Sequence, residues 1–402
     1  MSAADSGSGR SVLYQSVGDQ LTHFEVDVDA ATLTRRASIT LPSNVQYVWP
    51  HPSRKYLTVS TSDAASGNTP NPGKMHRLCA VRVAADGALA LHGESQALPS
   101  RPIHHCVDRE GRYALTAFNN PSNITVHRIG ADGTVGAQVQ QTSKIDVGIY
   151  AHQVTVTPSN RLVIFPARGN DARPDKPEDP GAIKVFGFKD GQLTPLQSID
   201  AVGKGGMDYR PRHVDFHPTQ PWMYVNVESQ NELHMHRIDG DTVTGKPTFE
   251  KTTLAAKHDP QFHQTTSAIH FHPNGRFLYT ANRADSTEEF NGKKVFAGGE
   301  NSIAVFAIDQ TTGEPTRIQS VDPLTHHVRT LGIDAGGRLL VTANIRDMWV
   351  KVNDSGNDVR RAPTALTVFR IGSDGKLTFA RKYDIESGGK LQWWAGMMGL
   401  PA

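Results

Sequence analysis

The sequence has few of the features that mark several common protein classes. Cys79 and Cys106 are the only cysteines among 402 residues, too few for a disulfide framework or a cysteine-based zinc site, so a reducing cytoplasm is the expected compartment. No apolar run approaches the roughly 20 residues of a membrane span, and the opening MSAADSGSGR has no hydrophobic signal segment. Residues 1–10 are predicted to be a disordered polar terminus. The net charge of +2 gives no reason to expect nucleic acid or an anionic membrane as partner.

Sequence motifs of several enzyme classes are also missing. There is no Gly-x-Ser-x-Gly nucleophile elbow and no His-Glu-x-x-His, so serine hydrolases and zinc proteases lack support. No alternation of strand and helix patterns supports a dinucleotide-binding or α/β-barrel fold. The stretch GKGGMD at 203–208 matches neither phosphate-binding fingerprint and is interpreted as a loop. The 36 Gly and 24 Pro residues instead favour a turn-rich β protein.

One half-motif recurs six times along the chain. Each copy is an alternating apolar run, a polar turn and a second alternating run, which predicts a two-stranded hairpin. The copies are VQYVWPHPSRKYLTVS (45–60), IHHCVDREGRYALTAF (103–118), HQVTVTPSNRLVIFPA (152–167), RHVDFHPTQPWMYVNV (212–227), AIHFHPNGRFLYTANR (268–283) and RTLGIDAGGRLLVTANI (329–345).

A second half-motif occurs seven times, and several copies carry Asp-Gly, a strong signal for a tight hairpin turn. The copies are LTHFEVDVDAATL (21–33), LCAVRVAADGAL (78–89), ITVHRIGADGTV (124–135), IKVFGFKDGQL (183–193), LHMHRIDGDTV (233–243), IAVFAIDQTTG (303–313) and LTVFRIGSDGKL (366–377). The two halves together make a four-stranded unit of about 50–60 residues, the size of a β-propeller blade.

The excess of one second half predicts how the propeller closes. The N-terminal half-blade lacks an inner strand, and Leu391–Met398 is an apolar run without a partner. We therefore expect an all-β, seven-bladed propeller that forms one domain over residues 11–402, with N- and C-terminal strands closing one shared blade. Four Pro-, Gly- and charge-rich stretches break the period and are predicted to be surface loops, mostly on one face. They span 168–181, 257–266, 283–300 and 346–361.

Aligning the copies on Phe-His-Pro lets equivalent positions be compared within this one chain. The start of the inner strand holds Gln46, Ile103, His152, Arg212, Ser267 and Arg329. The end of the second strand holds Gly18, Ser62, Asn119, Arg168, Glu228, Arg283 and Ile345. A hairpin brings the beginning of one strand beside the end of the next, so both sets are expected at one mouth of the channel. Arginine forks there would bind carboxylate, phosphate or an oxyanion, and a His or Glu would move a proton.

At these residues the chain resembles the seven-bladed β-propeller lactonases, a family that includes 6-phosphogluconolactonase-like enzymes and fungal carboxy-cis,cis-muconate cyclase. The resemblance covers roughly residues 11–400 and is most specific at PRHVDFHP, MYVNVE, FHPNGRFLYTANR and ENSIAVF. It implies that His152, Arg212, Glu228 and Arg283 are catalytic, with His213 beside Arg212. The chain is longer than bacterial phosphogluconolactonases of this kind, and the excess lies in the four predicted loops.

The expected activity is metal-independent hydrolysis of a small anionic sugar-acid lactone, phosphorylated or not. The expected substrate-binding residues are Arg168, His213, Arg329, His104 and Asn119, and neither a cofactor nor a metal is expected. In a strand, neighbouring side chains point to opposite faces, so the His104–His105 and His326–His327 pairs each offer at most one inward ligand.

Two alternatives remain open at this point: a cycloisomerase of a muconate-type dicarboxylate and a non-catalytic propeller that binds anions. The expected partner is therefore a small anionic lactone or dicarboxylate, with neither nucleic acid nor membrane. The chain is expected to be a monomer or a homodimer.

Overall fold

The structure, a computed structural model, describes residues 10–64, 71–352 and 358–401, and this part of the chain contains strands and no helix. Residues 1–9 of the predicted polar terminus lie outside the described residues. The first strands are β1 (Ser11–Val17), β2 (Gln20–Asp27), β3 (Thr32–Thr40), β4 (Asn44–Pro50), β5 (Tyr56–Ser62), β6 (His76–Val83), β7 (Leu89–Ala97), β8 (Pro102–Val107), β9 (Tyr113–Asn119), β10 (Ser122–Ile129), β11 (Val135–Gln138), β12 (Thr155–Val156), β13 (Leu162–Ala167), β14 (Ala182–Lys189) and β15 (Gln192–Ile199).

The remaining strands are β16 (Pro211–Phe216), β17 (Trp222–Val227), β18 (Glu232–Asp239), β19 (Thr242–Val243), β20 (Phe249–Thr252), β21 (Gln264–Phe271), β22 (Phe277–Ala284), β23 (Ser286–Phe290), β24 (Lys293–Gly298), β25 (Ser302–Ile308), β26 (Pro315–Val321), β27 (Val328–Ile333), β28 (Leu339–Asn344), β29 (Met348–Lys351), β30 (Val359–Ala362), β31 (Thr364–Ile371), β32 (Leu377–Ile385) and β33 (Ala395–Gly399).

Seven antiparallel sheets are the blades, which confirms the predicted fold class. In angular order from the inner strand outward they are blade 1 (β33, β1, β2, β3), blade 2 (β4 to β7), blade 3 (β8 to β11), blade 4 (β12 to β15), blade 5 (β16 to β20), blade 6 (β21, β22, β25, β26) and blade 7 (β27, β28, β31, β32). Apolar side chains of neighbouring blades pack into shared clusters, so the core lies between the sheets.

Blade 1 contains strands from both ends of the chain. Residues Ser11 to Gln15 of β1 pair antiparallel with Gly399 to Ala395 of β33. The regular strand begins four residues later than the predicted Leu391, although the amide of Gly18 still donates to the Leu391 carbonyl at 3.0 Å. The intervening residues leave the ladder and place a tryptophan at the channel mouth, as described below.

An eighth sheet corrects the sequence interpretation of the stretches 283–300 and 346–361, which are not simply loops. The first contains β23 and β24, joined by an Asn291–Gly292 turn whose residues both have positive φ, and the second contains β29 and β30. The two hairpins meet through a parallel bridge, and the Lys351 ammonium lies 2.6 Å from the Glu288 carboxylate. We call these four strands the cap sheet. The Asn-Gly pair was a usable hairpin signal.

The repeated phrase has a structural purpose between blades. Tyr224 and Tyr279 donate their hydroxyl hydrogens to the carbonyls of Gly313 and Gly375 in the next blade, at 2.6 and 2.8 Å. The histidine of one Phe-His-Pro motif also makes a contact between blades, since His272 Nε2 lies 2.8 Å from the carbonyl of Gly337 in blade 7. These contacts tie the outer turns of one blade to the body of the previous one.

Removing a tyrosine hydroxyl should therefore loosen one blade interface without touching the channel. Tyr279→Phe leaves the Gly375 carbonyl without its partner, and we expect it to lower the free energy of unfolding by about 1–3 kcal/mol. Tyr113→Phe is the matched control, because its hydroxyl contacts only Arg128, at 3.5 Å. Urea or thermal unfolding measures the difference. Equal stability of the two variants would contradict the inter-blade role.

Candidate active site

The inner strands carry β-bulges near their starts, and these bulges position the predicted site residues. The pairing with the second strand shifts by one residue at Val45/Tyr47, Pro102/His104, Pro211/His213, Thr266/Ile269 and Val328/Thr330. A bulge leaves an extra residue out of the ladder and redirects its side chain. The skipped positions hold Gln46, Ile103, Arg212, Ser267 and Arg329, which are members of the inner column of the repeat. In blade 4 the shift falls between Ala151 and Thr155, around His152.

Glu228 lies at the centre of the site, directly after β17. Its carboxylate contacts Arg168 Nε through Oε2, and Arg283 Nη2 donates to Oε1 at 2.5 Å. Arg212 Nε lies 2.9 Å from the same Oε1. Guanidinium groups from three blades thus contact one carboxylate. The carboxylate and the three arginine side chains are buried or nearly so. We call these four residues the Glu228 cluster.

The charges of the cluster stabilise one another. Burial alone would raise the pKa of Glu228, but Arg168, Arg212 and Arg283 hold it well below its usual range. Burial, with the like charge of Arg283, lowers the pKa of Arg212 to about 9, which keeps it charged at neutral pH. Arg168 has a second partner, Asp171, whose carboxylate lies 2.7 Å from Nη2. Glu228 is therefore an ionised counter-charge at neutral pH.

Arg283 is fixed by partners that the sequence interpretation did not include. Its Nε donates to Thr265 Oγ1 at 3.0 Å, and its Nη1 donates to His327 Nε2 at 3.3 Å. His327 Nδ1 in turn lies 3.3 Å from Asp285, at the beginning of the cap sheet. Burial lowers the pKa of His327 to about 4, so it is the neutral acceptor that Arg283 needs. Asp285 follows Arg283 by two residues. Because residues two apart in a strand face the same side, the sequence could have indicated that Asp285 lies near the site.

His152 is a buried imidazole beside the cluster. It is 6% exposed, and its Nδ1 has no hydrogen-bond partner among the described residues. The ring of His213 packs edge-on against it, with 5.1 Å between ring centroids. Burial lowers the pKa of His152 well below its usual range, and the charge of Arg212 adds to the effect. His152 is therefore neutral at physiological pH.

His104 and His213, both predicted to bind substrate, pack against each other on the inner strands of blades 3 and 5. The His104 ring is fully buried, 4.0 Å from the Tyr47 ring centroid and 5.7 Å from that of His213. Its neighbour His105 turns into the blade, where it contacts Thr58 and Ser60. This is the alternation that the sequence predicted for the pair. No three His, Cys, Asp or Glu side chains in the described ranges are grouped as metal ligands would be.

Arg329 reaches the mouth from blade 7, the neighbour of blade 6. Its guanidinium carbon lies 4.3 Å from the centroid of the Trp393 ring, and that of Arg101 lies 5.0 Å from the same centroid. Burial lowers the pKa of Arg329, and the charges of Arg212, Arg283 and Arg101 lower it further. Arg329 is thus electrostatically part of the site, as predicted. Sequence reasoning missed Arg101 and Trp393, since neither belongs to a repeat column.

Asn119, predicted to bind substrate, has no contact with the Glu228 cluster in the structure. It lines a neighbouring cavity of about 390 Å³ with Tyr150, Asn170 and Asp171. Asp171 and Arg168 lie between that cavity and the carboxylate of Glu228.

Comparison with known proteins places the chain in a family. The family model described as "Lactonase, 7-bladed beta-propeller" matches residues 12–356. A 6-phosphogluconolactonase of Serratia proteamaculans is 26% identical over 92% of this chain and 93% of its own. One of Pectobacterium carotovorum is 27% identical over 80% of this chain and 83% of its own.

Solved structures share the architecture. The periplasmic gluconolactonase PpgL of Pseudomonas aeruginosa superposes with a TM-score of 0.71 at 16% identity, over 97% of this chain and 99% of its own. A protein from Lactobacillus plantarum gives 0.69 at 18% identity, over 98% and 100%. Over the described ranges, no helix is long and apolar enough to cross a membrane. The matched residues include every member of the Glu228 cluster and His152, and the chain belongs to the lactonase family of seven-bladed β-propellers.

Proposed function

We propose that the protein hydrolyses a small anionic sugar-acid lactone at the Glu228 cluster, without a metal ion. The observation that carries this proposal is one carboxylate shared by three guanidinium groups beside a neutral, buried imidazole. The family match and the relatives named 6-phosphogluconolactonase support the reaction class. Two free, buried cysteines fit a protein that works in a reducing cytoplasm.

His152 acts as the base in this proposal. A neutral imidazole with an unpartnered ring nitrogen can take a proton from water as the water oxygen attacks the lactone carbonyl. The imidazolium then returns that proton to the ring oxygen as the C–O bond breaks. The product is an open-chain hydroxy acid, which releases a proton at neutral pH.

Arg212 and Arg283 bind the lactone carbonyl and stabilise the oxyanion of the tetrahedral intermediate. Arg212 Nη2 is buried and has no hydrogen-bond partner among the described residues, so a donor is free where negative charge would develop. Arg212 Nη1 is held by the Ser267 carbonyl at 2.7 Å, and Arg283 is held by Glu228, Thr265 and His327. Donors fixed in this way need little reorganisation during the reaction.

Glu228 orients the arginines rather than carrying the proton. A carboxylate with three cationic partners and a depressed pKa is a weak base at neutral pH. The same charges argue against a metal ion, because guanidinium groups occupy the carboxylate oxygens that Ca²⁺ would require. The donor set suits an anion, not a cation.

Removal of the base should abolish most of the activity and leave the fold intact. His152→Ala is expected to lower kcat/KM for gluconolactone or its 6-phosphate by about 10²–10⁴-fold, because water then lacks a proton acceptor. A pH-indicator assay follows acid release, with thermal unfolding as the test of folding. His236→Ala, a buried histidine on β18, is the control and should keep full activity. Full activity of the His152→Ala variant would refute the assignment. If the protein instead consumes the diene of a muconate and releases no acid from a lactone, it is a cycloisomerase.

The pH profile tests the same base independently. His152 must be neutral to act, and its folded-state pKa lies below the usual value of about 6.5. The kcat/KM should therefore stay level from pH 8 down to about 6.5 and fall only at lower pH. The His152→Ala variant should lack this acidic limb. A midpoint at or above 6.5 in the wild-type profile would be inconsistent with a desolvated base.

A further inference from the structure

Two arginines at the channel mouth have no acidic partner. Arg101 stands just before β8 of blade 3 and is 4% exposed, while Arg329 occupies the bulge of blade 7. Among the described residues neither forms an ion pair with a carboxylate, and Arg101 Nε is buried without a hydrogen-bond partner. Both contact the Trp393 ring, as described above.

Trp393 cannot neutralise the two cations. A cation over an indole ring gains far less than a buried guanidinium loses when it leaves water. The burial of Arg101 lowers its pKa to about 10, and Arg329 is further affected by the like charges of Arg101, Arg212 and Arg283. The Glu228 carboxylate is already shared by three other arginines. The mouth therefore carries positive charge that no described side chain compensates.

The two arginines and Trp393 come from blades other than those that carry the Glu228 cluster and His152. Trp393 lies in the segment between Leu391 and β33 of blade 1, and Arg101 and Arg329 come from blades 3 and 7. The Glu228 cluster and His152 belong to blades 4, 5 and 6. A ligand that spans the channel would therefore place one end at Glu228 and the other at Trp393.

We propose that Arg101, Trp393 and Arg329 form a second anion subsite, which binds the phosphate of a phosphorylated lactone while the lactone carbonyl lies at the Glu228 cluster. The inference rests on the proposed hydrolysis and adds the substrate class to it. Both guanidinium carbons lie within 5.0 Å of the centroid of the same ring, and guanidinium groups bind phosphate through paired hydrogen bonds. Contact with the Trp393 ring holds both arginine side chains at the mouth.

Kinetics with paired substrates test the subsite. Arg101→Gln should lower kcat/KM for 6-phosphogluconolactone about tenfold or more, through a higher KM, since a charge-assisted hydrogen bond is lost. The value for unphosphorylated gluconolactone should stay within about twofold. Arg101→Lys should recover part of the loss, because a charge returns without the fork. Arg276→Gln is the matched control, because Arg276 also stacks on an aromatic ring, that of Phe277. Arg276 is exposed and lies in the hairpin turn between β21 and β22, at the opposite end of β22 from Arg283.

An equal loss on both substrates, or no loss on either, would overturn the proposal. A purely structural role for the pair predicts the first of these results together with a lower melting temperature.

Calorimetry keeps the subsite testable if the wild-type protein hydrolyses neither lactone, a result that would refute the proposed function alone. The wild type should bind 6-phosphogluconate more tightly than gluconate, and Arg101→Gln should remove the difference. Inorganic phosphate should compete with 6-phosphogluconate if the phosphate group is what the arginines recognise. Equal affinity of the wild type for the two acids would show that Arg101 and Arg329 do not bind phosphate.

Discussion

The ion pairs of Glu228 determine how the site is built. One carboxylate joins Arg168 of blade 4, Arg212 of blade 5 and Arg283 of blade 6, so three blades are held at one mouth. Three buried guanidinium groups would repel one another without it. A buried ion pair contributes little net stability, but removal of one partner leaves an uncompensated charge. The cluster is therefore best understood as a way to keep cationic donors fixed and dry.

The bulges explain how a regular fold provides so many inward charges. A propeller blade needs unbroken ladders for stability, and its inner strand faces a narrow channel. In blades 5 and 7 the extra residue of the bulge is charged, since Arg212 and Arg329 are the residues that leave the ladder. The tyrosine and histidine contacts between blades lie away from these bulges, as with Tyr279 and Gly375. The residues that stabilise the blade interfaces and the residues of the site thus occupy different positions of the same repeated hairpin.

Comparison of repeat copies within one chain predicted the blades and the Glu228 cluster, because both depend on periodic positions. Periodicity could not predict Trp393, since the closing segment of blade 1 is not a copy of anything else in the chain, nor Arg101, which lies before β8 and outside both repeat columns. The break in periodicity also led to a wrong prediction for the cap sheet, whose strands lie in stretches interpreted as loops. The bridge between Val295 and Trp349 joins two insertions far apart in sequence, and only their tertiary proximity reveals it. Asn119 fits its column in sequence, yet it lines the cavity beside Tyr150 and Asn170 instead of contacting the Glu228 cluster.

A crystal structure with bound 6-phosphogluconate would test the central claim most directly, since that claim concerns where an anion lies. The carboxylate of this product acid should be within hydrogen-bonding distance of both Arg212 and Arg283, with His152 facing it. Binding instead in the cavity of about 480 Å³ beside Phe296 and His326, with Arg212 and Arg283 contacting only protein, would contradict it.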